Sequence, residues 1–216
     1  MVPKLVIISA PSGAGKTTLC DMLLQDYPEL VYSVSCTTRE PRGEEEDGVD
    51  YHFLRKEDFE RLVGEGAFLE HALVHGNYYG TLAEPVRDAI RTNLSILLDI
   101  DVAGAAQVRA SIAALPEDDP LHGGLVDVFV KPPSMAELRR RLEGRGEDAP
   151  EVIERRIRNA EGEIARSAEF TYHVVNDDLG VAYRELRAIL EHENAVIGPG
   201  NEDQCGCGHR HHHHGA

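Results

Sequence analysis

Three features of the sequence predict an α/β fold: a parallel sheet flanked by helices, with a smaller mixed α+β unit inserted into it. Short, continuously apolar runs at Lys4–Ser9, Ser95–Asp101 and Leu125–Val130 suit strands buried on both faces. Such runs alternate with helical periodicity at both ends of the chain. Between them, residues 32–81 break the alternation with a polar segment of short strand-like pieces.

Taken in order, Lys4–Ser9 reads as the first strand, followed by a glycine-rich loop and a helix from Lys16 to Asp26 that Tyr27-Pro28 ends. Residues 31–54 are strand-like pieces around the polar loop TREPRGEEEDG. A short helix is expected over Lys56–Val63. Two small strands follow in FLEHALVHGNYYGT, with a turn at Gly76-Asn77, and then a helix over residues 83–92. Ser95–Asp101 is a strand that ends in carboxylates, and a helix occupies Ala103–Ala114. Residues 115–124 are rich in proline, glycine and acids and read as a surface loop. After the strand at Leu125–Val130, Ser134 is placed to cap a helix with Glu137 at the capping-box position. Ile153, Ile157, Ala160 and Ile164 mark the next helix, Tyr172–Val175 the last strand, and Leu179, Ala182, Leu186 and Ile189 the last helix. Beyond Asn194 the periodicity stops, so residues 195–216 are expected to be disordered.

With 216 residues, 42% of them hydrophobic, the chain suits one compact domain. Its apolar runs fall short of the roughly 20 residues a bilayer demands. The apolar N-terminus leads straight into a glycine loop, as a buried strand does and a secretory signal does not. A cytoplasmic protein is expected, in keeping with four cysteines that form no disulfide framework. The net charge of −16 argues against general nucleic-acid binding. Four lysines stand against eighteen arginines, so an anion site must be a local arginine cluster in an acidic surface.

Residues 10–18, APSGAGKTT, match the phosphate-loop pattern G-x-x-x-x-G-K-[ST] except that Ala10 takes the first position. A residue before proline is steered to extended conformations with negative φ, which alanine adopts without strain, so Ala10 leaves the loop intact. Backbone N–H groups of Ser12, Gly13, Ala14, Gly15 and Lys16 would wrap phosphates at a helix N-terminus. Lys16 would bridge β- and γ-phosphates and the Thr17 hydroxyl would hold Mg²⁺. Asp99 sits at the carboxyl edge of a strand, where it can reach the metal region.

The segments SAPSGAGKTT, SVSCTTREPRGEEEDGVDYHF, FLEHALVHGNYYGT, LLDIDVAGA, PPSMAELRRRLEGRG and VVNDD follow one another as in guanylate kinases, and residues 4–192 most resemble the bacterial members. The resemblance implies a P-loop kinase core (residues 1–31 and 82–194), a GMP-binding subdomain over about residues 32–81 and a helical lid over about 134–160. It implies transfer of the γ-phosphate of ATP to GMP or dGMP. It also places Ser35, Arg39, Arg42, Tyr51, Glu70, Tyr79, Thr81, Asp99 and Asp101 around GMP. Arg39, Arg42, Tyr51 and Tyr79 would hold the phosphate. Glu70 would accept both N1–H and the 2-amino N–H of guanine, a donor pair that adenine lacks.

Thr18, Arg141 and Asn176 join the ATP side by the same resemblance, Asn176 near the adenine. Arg145 from the lid and Arg156 reach the transferring phosphate, with Lys16 and Arg39 completing the catalytic set. Mg²⁺ would sit on Thr17 and on Asp99 through water. Arg139, Arg140, Arg155 and Arg158 read as solvated helix surface. Two other readings stand beside this one: a non-catalytic guanylate-kinase-like interaction module, and a kinase for another phosphorylated acceptor. In the tail, Cys205, Cys207, His209, His211, His212, His213 and His214 are soft or borderline ligands able to take Zn²⁺ or Ni²⁺. The plain alternative for them is a disordered tail. Whether the protein is a monomer or an oligomer is not legible in the sequence.

Overall fold

The first strand, β1 (Leu5–Ser9), buries all five of its side chains, and period-two alternation shows why the run is continuously apolar. Val6 and Ile8 join one core cluster; Leu5 and Ile7 join another on the opposite face. The computed structural model describes residues 1–144, 146 and 148–196.

β1 lies at the centre of a five-stranded sheet with β2 (Leu30–Tyr32), β7 (Ser95–Asp99), β8 (Leu125–Lys131) and β9 (Tyr172–Val175), in the order β2-β7-β1-β8-β9. Every pairing in it is parallel. Helices cover both faces, as a parallel sheet needs. On one face α1 (Lys16–Asp26) and α7 (Leu179–His192) pack through Leu19, Leu23, Leu186 and Leu190. On the other, α3 (Ala83–Arg91) and α4 (Val102–Ala113) contribute Val86, Ala105, Val108 and Ile112.

A second sheet, in the order β4-β3-β6-β5, is built from β3 (Cys36–Thr37), β4 (His52–Phe53), β5 (Phe68–Val74) and β6 (Asn77–Leu82). It is mixed, with β3 parallel to β4 and antiparallel to β6. Helix α2 (Lys56–Gly64) closes its small aromatic core: Phe59 stacks on Phe68 at 4.4 Å and on Tyr78 at 5.1 Å between centroids. The remaining pair, α5 (Met135–Gly144) and α6 (Pro150–Ala165), forms its own cluster of Leu138, Leu142, Ile153, Ile157 and Ala160.

Several local expectations shift. The β5–β6 turn is His75-Gly76, one residue earlier than expected, because both take positive φ (48° and 83°) as a tight two-residue hairpin requires. β7 stops at Asp99, and Asp101 instead caps α4, accepting the Gly104 N–H at 2.7 Å. The Ser134 cap forms (Glu137 N–H to Oγ, 3.1 Å), but the Glu137 carboxylate turns to Arg140 and Arg141 rather than closing a capping box. Ile164 packs with the sheet core and not with the α5–α6 cluster. In α7, Leu179 is exposed, and Tyr183 and Leu190 face the core with Ala182 and Leu186. The 115–124 loop is anchored to the core: Leu121 is buried, and Asp119 holds Arg87 at 2.9 Å.

Candidate active site

The loop between β1 and α1 owes its shape to two glycines in left-handed backbone, Gly13 at φ 93° and Gly15 at φ 89°. Both are also crowded by protein. A Cβ on Gly13 would lie 2.9 Å from Leu142 Cδ2 of α5, and one on Gly15 would run into Asn176 Nδ2. Ala10 has no positive φ, in keeping with the residue before a proline.

Asn176 is buried just beyond β9 and donates from Nδ2 to the Ala14 carbonyl at 2.8 Å. Its own N–H donates to the Lys131 carbonyl. Placed on the ATP side by the resemblance, this side chain braces the phosphate loop through the Ala14 carbonyl.

A cavity of about 400 Å³ opens over the loop, walled by Ser12, Gly13, Gly15, Lys16, Thr17 and Thr18 on one side and by Asp99, Asp101 and Glu163 on the other. Lys16 Nζ pairs with Asp99. Thr17 and Thr18 are exposed at its floor, while Ala14 is buried behind it. Arg156 of α6 reaches over the loop, donating from Nη2 to Ser12 Oγ at 2.5 Å and pairing through Nη1 with Asp148.

A second cavity of about 230 Å³ is lined by Ser35, Tyr51, Glu70, Tyr79, Asp99 and Asp101, among others. A third, of about 250 Å³, shares Ser35, Tyr51 and Asp99 with it and adds Thr81. Asp99 and Asp101 therefore border both the loop cavity and the one that holds Glu70. Glu70 and Thr81 face each other across the β5–β6 ladder, and Thr81 Oγ1 donates to Glu70 Oε1 at 2.7 Å. Burial pushes the Glu70 carboxyl above its ordinary value; the Thr81 hydroxyl pulls it back, and the Asp101 charge raises it further.

Arg39 lies beside this wall with its guanidinium 5.0 Å from the Tyr51 ring centroid. Glu45 grips it at 2.7 and 2.8 Å. Arg42 sits on the exposed outer loop, not on a cavity wall, and its backbone N–H donates to Glu45 at 2.8 Å. Arg141 donates from Nε to Glu137 at 2.8 Å. Arg145 and the tail residues Cys205, Cys207, His209 and His211–His214 lie outside the described residues. Arg155 and Arg158 are exposed, and Arg139 and Arg140 pair with acids at the helix surface, as expected.

Glu163 was missed by the sequence reasoning. Half-buried on α6, it has its carboxyl raised first by burial and then by the Asp101 charge. The available signal was its spacing: seven residues from Arg156, it falls on the same helix face. Glu45 and Asp148 looked like members of acidic runs, and nothing local distinguished them.

Oxygen donors from Thr17, Asp99 and Asp101 on the loop cavity fit Mg²⁺, a hard cation that takes few protein ligands beside waters and phosphates. Among the described residues no helix is long and apolar enough to cross a membrane.

Comparison with known proteins agrees with this arrangement. The guanylate kinase family model matches residues 2–193. A guanylate kinase of Anaeromyxobacter dehalogenans is 48% identical over 190 residues, 88% of this chain and 80% of that one. One from Neisseria meningitidis serogroup A is 51% identical over 184 residues, 85% of each chain. The crystal structure of guanylate kinase from Anaplasma phagocytophilum superposes with a TM-score of 0.65 at 32% identity, covering 89% of this chain and 86% of that one. A parallel sheet carrying a glycine loop, a second sheet carrying Glu70 opposite Thr81, and matches spanning nearly the whole described chain lead to one assignment: this protein belongs to the guanylate kinase family.

Proposed function

We infer that the protein transfers the γ-phosphoryl group of ATP to GMP, giving ADP and GDP. The observation that carries this reading is the wall of Asp99 and Asp101 shared by two cavities, one over the phosphate loop and one containing Glu70. Two substrates bound there would meet end to end, as an in-line transfer needs.

ATP phosphates would lie on the N–H groups of Ser12–Lys16, with Lys16, Thr17 and Thr18 beneath them. Thr17 and Asp99 would hold Mg²⁺, which would supply neutralising charge to those phosphates. Guanine would present N1–H and its 2-amino group to Glu70, with Ser35 and Thr81 completing the edge. A buried acceptor pair left without donors is costly, which disfavours AMP. dGMP differs from GMP only at the sugar 2′ position, away from the groups these residues address, and is a second acceptor.

The GMP phosphate is already an anion and attacks the γ-phosphorus without a general base. The bond to the β–γ bridging oxygen breaks and ADP leaves with its electron pair. Arg39, Tyr51 and Tyr79 hold the acceptor phosphate, while Arg156 and the lid arginines Arg141 and Arg145 gather the charge that develops on the transferred group. Arg42 reaches that phosphate only if its loop folds inward from its exposed position. Residues 32–81 act as the acceptor-binding unit on a core of 1–31 and 82–194, and 134–160 as the lid.

A coupled ADP-release assay across GMP, dGMP, AMP, UMP and CMP with Mg²⁺ tests the reading. Turnover with GMP and dGMP alone is expected; absence of turnover with GMP overturns it.

A further inference from the structure

Arg39 has five N–H donors, and three are spent inside the protein. Nη1 donates to the Glu40 carbonyl at 2.9 Å and to Glu45 Oε2 at 2.7 Å, and Nη2 donates to Glu45 Oε1 at 2.8 Å. Beyond these bonds lie Nε–H and the second Nη2–H, parallel along one edge of a guanidinium that the Tyr79 hydroxyl also bonds. That edge is the fork a phosphate accepts bidentately. The guanidinium is further packed against rings, 5.0 Å from the Tyr51 centroid and 5.8 Å from that of Phe53. Its side chain is only 9% exposed. The same Glu45 Oε2 also accepts the Arg42 backbone N–H at 2.8 Å, so one carboxylate ties Arg39 to the turn at Arg42.

We propose that Glu45 is the positioning residue of the acceptor-phosphate site: it grips Arg39 by the far end of the guanidinium and so presents the remaining fork to the phosphate of GMP. The proposal rests on the reading of Arg39 as a ligand of that phosphate.

The opposite role is physically distinct. A carboxylate near a phosphate dianion is repulsive, and a competitor would occupy the fork that the phosphate needs. Here the carboxylate takes the end-on pair and not the side-on pair. An unanchored arginine gives up rotamer entropy when it is fixed, and anchoring removes that loss from the binding step. The Arg39 guanidinium and then the Arg42 N–H hold the Glu45 carboxyl down to about 2, so the anchor stays ionised at any assay pH.

Steady-state kinetics of Glu45→Gln and Glu45→Asp test this. Glu45→Gln keeps the shape but loses the charge that strengthens both bonds. Its KM for GMP should rise about tenfold while KM for ATP stays as in the wild type. Glu45→Asp keeps the charge on a shorter arm and should recover part of the loss. Guanosine, which has no phosphate for Arg39 to hold, should inhibit wild type and Glu45→Gln equally. That equality separates a lost fork from a collapsed loop and remains measurable where turnover is low. A KM for GMP that falls or stays unchanged in Glu45→Gln overturns the proposal, as does an equal loss of guanosine inhibition. Failure of the wild type to use GMP would instead overturn the functional reading beneath it.

Discussion

Glu70 carries a burial cost that the proposed recognition of guanine would account for. It is 8% exposed, its resolved partner is a neutral hydroxyl, and Asp101 adds repulsion. With its folded-state value raised above the unfolded one, its contribution to stability is full below the unfolded value. That contribution is lost as pH rises through the folded value. Above the unfolded value, burial of this carboxyl therefore weighs against folding. Glu70→Gln keeps an oxygen to accept the Thr81 hydroxyl and removes the charge. Scanning calorimetry at pH 7 should show a Tm a few degrees higher than the wild type, and the difference should shrink as pH falls below the ordinary carboxyl range. The same variant should lose much of its preference for GMP over AMP. A lower Tm at pH 7 would show that the burial cost is compensated by something else. The sequence put this residue in the first of two strands in FLEHALVHGNYYGT; its pairing with Thr81 needed the β5–β6 register.

Among the elements, the phosphate loop shows how a motif is enforced from outside itself. Gly13 fits because Leu138 and Leu142 of α5 come close, and Gly15 because Asn176 lies against it. Alanine at Gly15 meets two obstacles. The left-handed backbone costs about 1–2 kcal/mol for a residue with a Cβ, and the methyl runs into the Asn176 amide. Gly15→Ala should lose most of its activity, and adding Asn176→Ala should not restore it, since φ remains at 89°. Ala10→Gly should keep activity within about twofold, the small change expected where the substitution adds only freedom to the unfolded chain. Coupled kinetics on the three variants checks this; a fully active Gly15→Ala would sever the loop geometry from its function. Sequence spacing identified the loop, whereas its buttress sits 162 residues away in sequence, on the Ala14 carbonyl.

At the scale of the molecule, the cations of the proposed anion machinery rest against acids. Lys16 pairs with Asp99, Arg39 with Glu45 and Arg156 with Asp148, in a chain of net charge −16. Substrate phosphates would therefore enter a site whose positive charge is already positioned and partly neutralised. Binding to the native state alone should appear as linkage. GMP at a hundred times its Kd contributes about 2.7 kcal/mol, which raises the Tm of a chain this size by roughly 5–10 °C. Thermal shift measurements should show that rise in the wild type and little of it in Arg39→Ala. An equal shift in both would remove Arg39 from the acceptor site.

The apolar runs, the alternation of strand and helix and the glycine loop determine the parallel α/β core, because periodicity and backbone constraints act over a few residues. Local chemistry also marks Glu70, Arg39 and Lys16 as candidates. Which acid meets which cation was decided only by tertiary structure. Glu45 and Asp148 look like any other members of acidic stretches, and Glu163 like an ordinary helix surface. Asn176 was legible as a polar residue after a strand, yet its commitment to Ala14 is not. Hydrogen bonds and ion pairs depend on separations of about 3 Å between atoms distant in sequence. Folding brings those atoms together, and a linear pattern does not record the distance.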